Sequence, residues 1–240
     1  IGGIFMYHDP DLDILNTLSN DELEPIVKLI TEKGSLSQFL TISDEYKAHY
    51  PDHKKYLDLI KDELACMGGN SFANIFRGHG VSYREMLIDV SDKLKVPYNK
   101  QAPTERIEQC LLEKVLEDAW EKMSPKEKDE LLENLGDTTK FFTSMSSGVL
   151  ISLFRAGGFT SYKLSLIIAN AVCKAILGRG LSLALNAGLV RGLAVLTGPI
   201  GIALSGLWIA IDLAGPAYRV TVPAIIYIAA LRNAQLHKEW

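Results

Sequence analysis

Four groups of residues sit where chemistry could be asked of them. Asp9, Asp11 and Asp13 alternate like the first ligands of a calcium loop. Such a loop also needs a glycine for its sharp turn and a glutamate as its last, bidentate ligand. Those two positions hold Ile14 and Asn20, so calcium is rejected. His49 and His53 have the spacing of two ligands on one helical face, but Pro51 lies between them and no third ligand is near. They are read as a solvated surface pair, and no metal is expected.

The third group is a glycine-rich corner. Gly68-Gly69-Asn70-Ser71 leads through Arg77-Gly78-His79-Gly80 to Tyr83-Arg84. One reading is a tight structural corner. The other is a partner surface built from Arg77, His79, Tyr83 and Arg84.

The fourth is Asp212, the only acid between Asp137 and Glu239. An unpaired carboxylate in apolar surroundings is costly, so it should pair or protonate. Arg179, Arg191 and Arg219 are available partners. An Asp212–Arg219 pair would hold two helices in register, or act as a latch that acid or a membrane opens.

No nucleophile elbow, phosphate loop or dinucleotide fingerprint is present, so neither catalysis nor a cofactor is expected. The three cysteines, Cys66, Cys110 and Cys173, form no CxxC pair, which fits a reducing cytosol and no zinc knuckle. Basic residues of the back half are not interleaved with aromatics, which argues against nucleic acid.

The elements that would position these groups are helical. Leu12, Leu15 and Leu18, then Leu23, Ile26, Val27 and Ile30, recur at three- and four-residue steps. Ser19 and Glu22 have capping-box spacing, so a helix should start near Asn20 and end at Gly34. Further helices are predicted from about Asp52 to Met67, over Ser71–Phe76, over Ser82–Leu94 and over Thr104–Met123. The last of these has Ile107, Leu111, Leu112, Val115, Leu116 and Ala119 on its inner face. Ser124-Pro125 should cap another, ending near Gly136. No period-two run reads as a strand.

Charge divides the chain. Residues 1–139 hold 27 acids and 16 Lys/Arg, whereas 140–240 hold two acids and nine Lys/Arg. Such a split suggests two halves that face each other, or a basic half that meets an anionic surface. An acidic helical domain over 6–139 and a basic, apolar one over 140–240 are therefore expected. The first thirty residues are acidic and polar, unlike a signal peptide, and Met6 is read as the natural start.

The back half has 11 of the 19 glycines. Gly192–Ile211 is a run of twenty uncharged residues, just long enough to span a bilayer, although Gly198-Pro199 would kink it. Val220–Leu231 is a second apolar run. If folded compactly in water, Ile200–Ile211 and Ile225–Leu231 should be among the most buried segments, because exposing so large an apolar patch is costly.

The runs GGNSFANIFRGHGVSYREMLIDVSDKLKV (68–96) and GPAYRVTVPAIIYIAALR (215–232) resemble the YaaW-like family of bacterial proteins. DLDILNTLSNDEL (11–23) and IEQCLLEKVLEDAWEKM (107–123) fit the same family, so the resemblance spans nearly the whole chain. It implies no particular chemistry. It carries a remote link to a helical ubiquinol–cytochrome c chaperone group, and a neighbourhood of GTPase genes in bacterial conflict loci that would suit a membrane-acting effector.

The expected fold is all-α, a multi-helix bundle with a very apolar, glycine-rich C-terminal helical hairpin. The leading functional expectation is a non-catalytic, membrane-active protein, cytoplasmic or peripheral at rest. It would insert C-terminal helices through Leu193, Ile200, Ala203, Leu207 and Ile211 into the inner membrane, with oligomerisation on insertion. An anionic membrane surface and a protein partner, for which a GTPase is the candidate, would be its contacts. The alternative is a soluble helical adaptor or assembly chaperone, whose apolar back half is simply core.

Overall fold

Serine caps set the helix boundaries. In the computed structural model, which describes residues 8–33, 39–68, 80–135, 146–179, 200–201 and 218–238, the regular elements are helical and no strand occurs among the described residues. The chain is an all-α protein. Spatially it divides into two compact units, residues 1–95 with 210–225 and residues 96–209 with 226–240. The composition boundary at 139/140 is thus not where the compact units part.

The first unit opens with a 3-10 turn over Pro10–Thr17, capped by Asp9, whose side chain accepts from the Asp11 N–H. Helix α1 (Asn20–Lys28) starts at the capping box read from the sequence. Ser19 Oγ accepts from the Glu22 N–H, and the Glu22 carboxylate accepts from the Ser19 N–H. It continues as a π-helical turn over Leu29–Lys33. Leu12, Leu15, Leu18, Leu23, Ile26 and Ile30 are all buried, so the predicted apolar stripe is the core face.

Two short helices follow that the apolar periodicity did not announce, α2 (Phe39–Ile42) and α3 (Asp44–His49). Asp52 precedes a 3-10 turn and not an α-helical one. The Asn20 carboxamide bonds Asp52 and accepts from the Lys54 N–H, holding His53–Tyr56 as a 3-10 turn before α4 (Leu57–Met67). Helix α5 (Tyr83–Lys93) starts at a second capping box, Ser82 with Glu85. The predicted Ser71–Phe76 helix lies outside the described residues.

At the edges of the glycine corner, space decides. A Cβ on Gly80 would fall 2.6 Å from the Ala65 backbone carbonyl carbon, and the next residue, Val81, donates its N–H to the Ala65 carbonyl at 3.0 Å. Only glycine lets the chain approach α4 that closely.

The second unit is built on α6 (Thr104–Lys122), α7 (Pro125–Leu135), α8 (Ser147–Arg155) and α9 (Gly158–Leu177). The whole predicted inner face of α6 is buried, each large aliphatic side chain contributing roughly 1.5–3 kcal/mol by leaving water. Ser124 and Glu127 form the capping pair before α7. Helix α10 (Tyr218–Leu236) runs through the dividing point of the units at 225/226. Its segment Ile225–Leu231 is almost completely inaccessible, as expected. Of the other segment expected to be buried, Ile200 is buried, Gly201 is half-buried, and 202–211 lie outside the described residues.

Candidate functional site

Segment 39–50 of the first unit exposes three large apolar side chains, Phe39, Ile42 and Tyr50, at 69%, 57% and 55% of their surface. Phe39 and Ile42 are three apart on α2 and therefore share a face. Leu40 between them is buried, which anchors the short helix. Ser43 caps α3 by accepting from the Tyr46 N–H at 3.1 Å.

Tyr50 also belongs to an aromatic cluster. The Tyr46 ring packs against Tyr50 at 5.3 Å and Tyr56 at 5.4 Å between centroids, and His53 lies edge-on to Tyr50 and Tyr56. His53 Nδ1 and the Tyr56 hydroxyl are 2.6 Å apart. Burial pushes the His53 pKa down against the opposing pull of Glu24, Asp52 and Asp21, and pushes the Tyr56 hydroxyl up. Both changes favour the neutral forms, a tyrosine hydroxyl bonded to a neutral imidazole. His53 is only 2% exposed, so the expectation of a solvated histidine pair is wrong: His49 is exposed and His53 is core.

The polar features of the second unit are ion pairs. Arg232 Nε lies 3.1 Å and 2.9 Å from the two oxygens of Glu108. Arg155 grips Glu113 with both arms, at 2.8 Å and 2.7 Å, which raises the pKa of that guanidinium further. Asn233 Nδ2 donates to Ser161 Oγ at 3.0 Å and to Ser165 Oγ at 2.7 Å. These bonds tie α6 to α8, and α6 and α9 to α10; Arg155 is exposed, and the other groups are buried or half-buried.

The residues singled out from the sequence divide among several fates. Arg77 and His79 lie outside the described residues. Tyr83 is fully buried at the start of α5, with its N–H donated to Asp9 Oδ2 at 2.6 Å, so it cannot belong to a partner surface. Arg84, next to it, is half-buried. Asp212 is outside the described residues, and Arg219 is exposed on the first turn of α10. Leu193, Ala203, Leu207 and Ile211 are also outside. Among the described residues, one helix is long and apolar enough to cross a membrane, and it is α9. Among them, too, no group of three His, Cys, Asp or Glu side chains could hold a metal.

Sequence reasoning missed Phe39, Ile42 and the Tyr46–Tyr56 cluster because segment 39–50 has no apolar period. Glu108 had a legible signal: it falls one turn after Thr104 and one turn before Leu112, on the inner face of α6.

A family model described as ubiquinol-cytochrome C chaperone matches residues 52–226. A UPF0174 protein of Helicobacter pylori (strain J99) is 47% identical over 232 residues, covering 94% of this chain and 91% of the relative. UPF0174 protein YaaW of Escherichia coli K12 is 36% identical over 236 residues, covering 94% of each. No solved structure matches. Matches of this length and identity place the chain in the UPF0174 family and in the family described as ubiquinol-cytochrome C chaperone.

Proposed function

We propose that the chain is a non-catalytic helical adaptor or assembly chaperone that works through protein–protein contacts in the cytoplasm. The observation that carries this reading is the exposure of three large apolar side chains, Phe39, Ile42 and Tyr50, within one short segment of the first unit. Aromatic and aliphatic anchors of this kind are what partner pockets take up. The match to a family described as a chaperone points the same way. Among the described groups suited to acid–base work, Glu108 and Glu113 hold arginines, and the His53–Tyr56 bond is buried. The insertion reading rests on the run Gly192–Ile211, of which Ile200 and Gly201 alone are among the described residues.

The test is site-specific photocrosslinking in living cells, with the probe at position 39 or 42 and a control probe at the exposed Lys126. One discrete adduct from 39 and 42, absent from 126, is expected. No adduct from either position, with the protein resisting alkaline extraction from the membrane fraction, would return the insertion reading to first place.

A further inference from the structure

The second unit has an exposed apolar surface of its own, and its chemistry differs from that of the first. Phe159, in the first turn of α9, is 44% exposed, and Leu236, the last residue of α10, is 63% exposed. Two observations put them at one end of the unit. Asn233 bonds Ser161 and Ser165, so the end of α10 lies along the start of α9. Gly157 has φ +78°, and a Cβ there would fall 2.9 Å from His237 Cε1, so the corner between α8 and α9 closes on the residue after Leu236.

The charged side chains of the described stretches that form this end are all basic; Glu113 is held by Arg155, and Glu239 follows Lys238 in sequence. Residues 146–179 and 218–238 contain no Asp or Glu. Arg155 and Arg232 are already held by Glu113 and Glu108 of α6. The cations beside the apolar pair are lysines. Lys163 lies 4.5 Å from the centre of the Phe159 ring, and Lys238 is exposed two residues past Leu236. Tyr162 stacks on Phe159 with 6.3 Å between centroids.

We infer that the end of the second unit formed by Phe159, Tyr162, Lys163, Leu236 and Lys238 seats the protein peripherally on an anionic bilayer surface. Composition favours lipid over a protein occupant. Protein interfaces are depleted in lysine, whereas the water–lipid boundary combines aromatic rings with lysines, whose stems lie along apolar groups while their ammonium heads reach phosphate. Contact here is superficial and needs no helix to cross. It also uses none of the residues of the proposed adaptor segment.

The full chain is sedimented with phosphatidylcholine vesicles and with vesicles containing about 30% phosphatidylglycerol, at low and at high salt. Wild type should pellet with the anionic vesicles only, and less so in high salt. Lys163→Glu with Lys238→Glu should lower partitioning at least roughly tenfold. Phe159→Ala with Leu236→Ala should lower it by roughly tenfold as well. Because Phe159 is only partly exposed, Leu236→Ala alone, with an unchanged melting curve, serves as the second apolar variant. Phe39→Ser with Ile42→Ser should sediment as wild type does, which separates this inference from the adaptor reading. Wild type remaining in the supernatant with every vesicle, or variants that bind undiminished, would overturn it. Saturable binding of an acidic amphipathic peptide without vesicle binding would overturn it too, and assign this end to a protein.

Discussion

Arg232→Met is the substitution with the most to say about what holds the second unit together. Glu108 is 2% exposed and Arg232 14%, and the guanidinium Nε lies within 3.1 Å of both carboxylate oxygens. A pair this buried repays its desolvation only while both partners are present, and removing one leaves a buried charge uncompensated at about 3–5 kcal/mol. Met keeps most of the aliphatic stem, so lost packing contributes little to that figure. For a chain of this size the midpoint should fall by about 6–20 °C. The assay is thermal unfolding followed by circular dichroism at 222 nm, with a urea series beside it. Arg232→Ala should be only slightly worse than Arg232→Met if charge dominates, and much worse if packing does. Glu108→Gln in the Arg232→Met background should recover much of the loss, because a buried amide is cheaper to leave than a buried carboxylate. Arg232→Met melting within about 1 kcal/mol of wild type would refute the reasoning, since Glu108 would then have found water or another partner.

Other perturbations test other joints. Gly80→Ala puts a Cβ 2.6 Å from the Ala65 backbone and should cost at least about 1–3 kcal/mol, read in the same melts. Ser82→Ala removes the acceptor for the Glu85 N–H and should cost about 0.5–2 kcal/mol. His53 gives a pH dependence of fixed sign. Its pKa in the folded chain is depressed below 6.5, mainly by burial, so its contribution to stability is complete above that pH and is lost as pH falls below it towards the depressed value. His53→Gln should flatten this part of the stability-against-pH curve, and a slope that persists unchanged would assign it to another group.

Much of the helical frame was legible because its signals are local. Ser19, Ser82 and Ser124 each precede a glutamate by three residues, and each caps a helix. The inner face of α6 follows from its three- and four-residue steps, all of it buried. What escaped depends on contacts distant in sequence. Asn20 reaches across to Asp52 and Lys54 and converts a predicted helix start into a 3-10 turn. Tyr83 looked like a surface residue beside Arg84, but its N–H is taken by Asp9, far away in sequence, and its ring is fully buried. His53 looked solvated because sequence spacing says nothing about what will bury it.

The opposite charges of the two stretches have a structural use. Arg155 and Arg232, from the basic stretch, are matched within one compact unit by Glu113 and Glu108 of α6, from the acidic stretch. Partly buried arginines bind carboxylates bidentately and lose less on desolvation than lysines do. Arg155 donates from two nitrogens although its side chain is 54% exposed, and Arg232, 14% exposed, reaches both Glu108 oxygens from Nε. Lys163 and Lys238 stay at the end of the unit, beside Phe159 and Leu236. Of the described basic residues of the back half, Arg155 and Arg232 join helices, and Lys163 and Lys238 flank an exposed apolar surface. If the surplus served only internal pairing, reversing both lysines would cost stability and change nothing else. If it serves a surface contact, the same reversal should leave the melting curve in place and remove the contact.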